Sequence, residues 1–128
     1  MTVVRVDLGD RSYPVHVGEG VRELLTEVLP DGARRAAVIT QPGIPWTVDP
    51  GVEHLTVHVP DGEAAKSLSV VEDVCRRLAD WGLTRGDVVV AVGGGVVTDV
   101  AGFVAAIYHR GIRFVSVPTT LLAQIDAA

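Results

Sequence analysis

Along this chain the apolar residues follow two periods, and the change from one to the other marks out the elements. Apolar and polar residues alternate over Val3–Leu8 and again over Tyr13–Val17, with Gly9-Asp10 between them. That pattern predicts a β-hairpin with one wet face. Val21, Leu24, Leu25 and Val28 fall on one face of a helix predicted from about Val21 to Leu29, which Pro30-Asp31-Gly32 stops. Ala36–Thr40 reads as a buried strand, and Leu55–Val59 alternates again before Pro60-Asp61-Gly62. From Ser67 to Trp81, Val70, Val71, Val74, Leu78 and Trp81 make a helical stripe, with Arg76, Arg77 and Asp80 opposite and Gly82 closing the helix. Val88–Val92 is β-branched and too short for an independent helix, so it predicts a strand buried on both faces. Gly93, Gly94 and Gly95 follow, then a helix from about Val96 to Tyr108 and a strand from Phe114 to Val117. Strands alternating with helices predict an α/β fold with a mostly parallel sheet, right-handed crossovers and helices on both faces.

Composition narrows the class without altering this layout. With 128 residues the chain has room for one domain with a real core. A net charge of −5 without any basic cluster argues against a nucleic-acid groove. Cys75 is the only cysteine, which excludes an intrachain disulfide and a thiolate zinc cage. His16, His54, His58 and His109 show no zinc spacing and read as structural. No apolar run is long enough to span a membrane, and the amino terminus carries no basic leader, so a cytoplasmic protein is expected. The sequence stops at Ala127-Ala128, just after a helical pattern opens at Leu121 and without a stop signal. The expectation is that residues 1–128 are a truncated piece of a longer protein.

The candidate chemistry gathers around the three glycines. A strand, a glycine turn and a helix amino end make an anion site, because the first helical N–H groups lack intrahelical partners and glycine admits a phosphate close to the backbone. Named motifs fit the loop poorly. A dinucleotide fingerprint on Gly93 and Gly95 needs a glycine where Thr98 stands, and a phosphate loop ending in Gly-Lys-Ser/Thr is absent. A phosphate site and a plain turn therefore both stay open. Asp61, Glu63 and Lys66 lie where a strand gives way to a helix, at the sheet edge that carries ligands in open α/β folds. They read either as ribose acceptors with a nearby cation or as a charged helix start. Asp99, in the first turn of the helix after the glycines, serves the helix dipole or a ligand hydroxyl. Arg110 ends that helix, where a basic residue is expected electrostatically.

Three stretches, VPDGEAAKSL, VAVGGGVVTDVAGF and YHRGIRFVSVPTTLLAQIDA, occur in an order and spacing that resembles the 3-dehydroquinate synthase family. The resemblance reaches from Ala36 to the end of the chain, with the hairpin placed likewise. It implies a Rossmann-like amino-terminal α/β domain that binds NAD. It also implies a helical carboxyl-terminal domain, missing here, that holds a divalent metal (zinc or cobalt). Carried over residue by residue, it assigns NAD contacts to Asp61, Gly62, Glu63, Ala64, Ala65 and Lys66, with Glu63 and Lys66 at the adenosine ribose. It assigns Gly94, Gly95, Val96, Val97, Thr98 and Asp99 to the pyrophosphate and nicotinamide ribose, and adds Thr119 and Thr120. Asp126 matches a substrate-binding aspartate, and Arg110 an arginine reaching the substrate phosphate of a neighbouring subunit, which implies a homodimer.

The activity so implied is that of the shikimate pathway. NAD transiently oxidises one hydroxyl of a heptulosonate phosphate, the ketone acidifies the adjacent C–H, phosphate leaves, the ketone is reduced and an aldol step closes the ring. Sister cyclases of the valiolone or inosose synthase type, and a nucleotide-binding module without catalysis, are the alternatives. Against the family pattern, Thr40-Gln41-Pro42 stands where many members have an acidic residue, and Thr98 replaces a common glycine. The Gly-Gly-Lys-Thr segment expected after Ala128 and the metal ligands are not in this sequence.

Overall fold

The computed structural model describes residues 2–124. β1 (Thr2–Val6) and β2 (Tyr13–Val17) form an antiparallel ribbon, joined through a 3-10 turn at Gly9–Arg11. After a 3-10 turn at Val21–Leu24 comes α1 (Leu25–Val28). Then follow β3 (Arg35–Thr40), β4 (Glu53–His58), α2 (Leu68–Trp81), β5 (Val88–Gly93), α3 (Gly95–Ile107) and β6 (Arg113–Pro118). The last four strands make one parallel sheet in the order β4-β3-β5-β6.

That order follows from chain connectivity. β3 passes to β4 in one direction, whereas β4 returns past β3 to β5 and β5 steps on to β6 in the other. Right-handed crossovers then send α2 and α3 to one face and the β3–β4 connection to the opposite face. The core divides accordingly. Ala37, Ile39, Val57, Val89 and Ala91 point toward α2 and α3, where they meet Val71, Val74, Leu78, Val97, Ala101 and Val104. Ala36, Val38, Val88, Val90 and Val92 point the other way, toward Leu25, Val28, Ile44, Val48 and Val52. Each fully buried Val or Leu contributes about 1.5–3 kcal/mol to this packing. The two long helices thus share a face, and the other is covered by the short α1 and the 41–52 connection.

Local signals explain the helix limits. Ser67 caps α2, its Oγ accepting from the Val70 N–H at 3.2 Å. Gly82 ends α2 in the left-handed conformation, φ 83°. Arg35 reinforces that end, donating to the carbonyls of Trp81 and Gly82 while its guanidinium lies 4.2 Å from the centre of the Trp81 ring. At the amino edge of the sheet the buried Asp87 carboxylate accepts from Thr84 N–H, Thr84 Oγ1, Arg34 N–H and Arg35 N–H.

Two expectations change. The hairpin has no buried face, for only Val6 and His16 in its strands are half-buried. Its strands pair with each other and not with the main sheet, so neither side gains a covering layer. The helix predicted over Val21–Leu29 is a 3-10 turn followed by one turn of α-helix. Neither start carries a side-chain cap, and only Leu25 is buried, too little to hold a longer helix.

Candidate functional site

The reversal of strand order between β3 and β5 opens a crevice at the carboxyl edge, where their connections leave to opposite faces. Three of the four strands that end there lead into a candidate. β5 delivers Gly93 and Gly94 to the start of α3, β4 leads into the Asp61–Lys66 turn, and β6 ends at Pro118 before Thr119 and Thr120.

The glycine turn is tightly made. A Cβ on Gly93 would sit 2.7 Å from Val97 Cγ2 and 2.9 Å from Val97 Cβ, so no side chain fits. Thr119 N–H donates to the Gly93 carbonyl at 2.8 Å, tying the end of β6 to the turn. A Cβ on Gly94 would meet Thr120 Cγ2 at 3.2 Å. Over Gly95 there is nothing within 4 Å of the Cβ position, so the approach to the helix start is open at that residue. Thr98 donates its hydroxyl to the carbonyls of Gly94 and Gly95, at 3.2 and 3.1 Å, and braces the turn from within. Thr120 Oγ1 accepts from Ala123 N–H at 3.1 Å and starts the next helical turn.

The acidic and basic candidates, far apart in sequence, meet beside that opening. Lys66 Nζ lies 2.8 Å from Asp99 Oδ2 and 3.8 Å from Glu63 Oε2. The Asp99 hydrogen bond and charge, with the Glu63 charge, hold the Lys66 ammonium above its ordinary pKa. Asp61 accepts from Gly62 N–H at 3.0 Å and so starts the 3-10 turn at Gly62–Ala65. Val97, Thr98 and Ala65 have buried side chains, which leaves their backbone as the part able to meet a ligand. Asp126 lies outside the described residues.

Arg110 is not brought to this edge. It lies beyond the far end of α3, which at about 1.5 Å per residue places it roughly 20 Å away. It does not cap α3 in helical conformation either. His109 and Arg110 are both left-handed, with φ 47° and 62°, and both are exposed.

Sequence reading passed over two residues except as a departure. Thr40 Oγ1 donates to the Val92 carbonyl at 2.8 Å. Gln41 Nε2 donates to the carbonyls of Pro60 and Gly62, at 2.9 and 3.4 Å. Their signal was position alone, at the carboxyl end of the central strand β3. Beside them is a cavity of about 350 Å³, bounded by Thr40, Gln41, Trp46, Thr47, Thr56 and His58. A larger, mostly apolar groove of about 540 Å³ runs between β2, α1 and the end of β6. Among the described residues no group of three or more His, Cys, Asp or Glu side chains is gathered for a metal ion. No described helix is long and apolar enough to cross a membrane.

The arrangement suits an anionic, hydroxyl-bearing ligand. Helix N–H groups at an open glycine receive phosphate oxygens. Glu63 and Asp99 present carboxylates able to accept from hydroxyls, and Lys66 an ammonium able to donate.

Comparison with known proteins agrees with this geometry. The family model "3-dehydroquinate synthase N-terminal" matches residues 56–128. A candidate aminodehydroquinate synthase of Amycolatopsis mediterranei (strain S699) is 52% identical over 128 residues, covering 99% of this chain and 36% of that protein. The 3-dehydroquinate synthase of Thermobifida fusca (strain YX) is 44% identical over 138 residues, covering 100% of this chain and 38% of its own. A crystal structure of 2-deoxy-scyllo-inosose synthase complexed with carbaglucose-6-phosphate, NAD+ and Co2+ superposes with a TM-score of 0.85 at 30% identity. That superposition covers 98% of this chain and 37% of the other. The chain thus spans a little over a third of the length of these relatives. With a family model matched over more than half of this chain's residues and a shared fold, the chain belongs to the 3-dehydroquinate synthase family, in the amino-terminal domain.

Proposed function

We propose that this chain is the NAD-binding domain of a sugar-phosphate cyclase, and that the whole protein is a cytoplasmic homodimeric 3-dehydroquinate synthase. Its reaction converts 3-deoxy-D-arabino-heptulosonate 7-phosphate to 3-dehydroquinate with loss of phosphate, in the shikimate pathway. The observation that carries the reading is the Lys66–Asp99 ion pair, 2.8 Å, set beside the open approach to the Gly95 end of α3.

When bound, NAD supplies a reversible hydride acceptor for one substrate hydroxyl. The residues of this chain bind and orient. The N–H groups at Gly94, Gly95 and Val96 would hold the pyrophosphate, and the dipole of α3 would favour its charge. Glu63 and Lys66 hold the adenosine ribose, and Asp99 both anchors Lys66 and accepts from the second ribose. Thr119 and Thr120 wall the turn from the β6 side. Arg110 extends to the substrate phosphate of the neighbouring subunit, and Asp126 binds substrate in its own. The divalent metal, zinc or cobalt, belongs in this reading to the carboxyl-terminal domain.

A second reading is favoured by the 52% identity to the Amycolatopsis protein, whose name points to the amino counterpart of dehydroquinate. The whole protein, supplied with NAD, divalent metal and either the heptulosonate phosphate or its amino analogue, decides between them. Phosphate release and dehydroquinate formation from the first substrate support the leading reading. Turnover of the amino analogue alone moves the assignment to the second. Release from neither, with NAD bound, removes the cyclase assignment for these substrates.

A further inference from the structure

We propose that Gln41 is a positioning residue of the cofactor site, holding the Asp61–Lys66 turn where Lys66 meets Asp99. The inference rests on the NAD-binding reading and assigns a role to a side chain that the reading leaves idle. Three ties converge on the end of β3. Val59 N–H donates to the Thr40 carbonyl at 2.9 Å, the last rung toward β4. Thr40 Oγ1 reaches the other neighbour, at the Val92 carbonyl. Gln41 then spans the gap beyond the ladder, its Nε2 donating to the Pro60 and Gly62 carbonyls at 2.9 and 3.4 Å. Beyond β4 the chain has left the sheet, and Asp61 fixes only its own neighbour Gly62. Gln41 therefore links this turn to the inner strand β3, and its contact at Gly62 lies one residue before Glu63.

Donation is the essential property. Two carbonyl oxygens face the position, and only an N–H or O–H group satisfies them. A carboxylate there would meet both oxygens with like partial charge, so an acid at 41 is incompatible with this arrangement. Recognition of the ribose is left to Glu63, and residue 41 fixes where Glu63 stands.

The test uses the whole protein with Gln41→Met, which keeps length and removes the donor, and Gln41→Lys, which restores donors. NAD dissociation constants are measured by calorimetry at about 0.5 M salt, where added charge is screened. Gln41→Met is expected to bind NAD about five- to tenfold more weakly, the effect of one or two lost hydrogen bonds. It should keep its kcat at saturating NAD, whereas Gln41→Lys stays within about twofold of the parent on the same scale. Amide exchange at residues 62–66 without ligand should quicken in Gln41→Met. Unchanged NAD affinity in Gln41→Met, or equal loss in Gln41→Lys, overturns the proposal. If the parent protein binds no NAD, the functional reading fails on its own. Exchange at 62–66 then still decides: faster in Gln41→Met supports the tie, and unchanged exchange refutes it.

Discussion

Asp87 offers the sharpest separation of stability from function. Its carboxylate is 4% exposed and joins the first residues of β3 to the turn before β5. Oδ2 takes the Thr84 N–H and hydroxyl at 2.8 and 2.9 Å, and Oδ1 takes the Arg35 and Arg34 N–H groups at 3.1 and 3.3 Å. Burial alone would raise its pKa, but these hydrogen bonds outweigh burial and hold it below the ordinary 3.8. Asp87→Asn keeps the shape and turns one oxygen into a donor, so either the Thr84 pair or the Arg34–Arg35 pair loses its acceptor. Two stranded donors at about 1–2 kcal/mol each give a loss of roughly 2–4 kcal/mol. For a domain of this size that lowers Tm by about 6–15 °C. Because the folded pKa is depressed, the carboxylate's contribution is complete above the unfolded value of 3.8 and is lost as pH falls through the lower folded value. Thermal melts of both proteins between pH 7 and pH 2 should therefore differ at pH 7 and converge toward pH 2. NAD affinity below Tm should not move, since Asp87 sits at the opposite edge of the sheet. A variant melting within about 1 °C of the parent at pH 7, where two orphaned donors are expected, would refute the account of this carboxylate.

Two further predictions concern the site. Gly95→Val places a branched side chain in the space now open above the start of α3. NAD binding should weaken at least about tenfold while the fold survives, valine costing a helix well under about 1 kcal/mol relative to other residues; an unchanged titration with an unchanged melt would place the pyrophosphate elsewhere. Arg110→Ala should lower kcat/KM by about a hundredfold without altering NAD affinity, the loss of one bidentate phosphate contact. Mixed with Asp126→Ala it should recover about a quarter of parental activity, because random exchange gives half heterodimers with one whole site each. No recovery despite proven subunit exchange would return Arg110 to its own subunit.

The sheet and its long helices were legible because their signals are local. Val88–Val92 reads as a buried strand from five apolar residues, and α2 from its stripe between Ser67 and Gly82. That the hairpin lacks a buried face was not legible, since alternation reports that one side could be covered and not that anything covers it. The glycine turn was found, but the Lys66–Asp99 pair was not foreseen. Periodicity carries no distance between elements, and that contact depends on how α3 lies against the turn after β4. Arg110 shows the same limit from another side. A basic residue at a helix end suggested a cap, whereas the backbone turns left-handed at His109 and carries it away from the helix.

Thr98 stands where the resemblance leads one to expect glycine, and it changes what the neighbouring glycines are. A run of Gly93, Gly94 and Gly95 would ordinarily be among the most mobile parts of a chain. Here the Thr98 hydroxyl grips two of its carbonyls, the Thr119 N–H grips the third, and Val97 fills the space beside Gly93. The freedom of those residues is spent on folding and little is left to lose when a phosphate arrives. Binding at such a turn should show a small entropic penalty. Thr98→Gly should return that penalty to the binding step, weakening affinity through entropy with the contacts themselves unchanged.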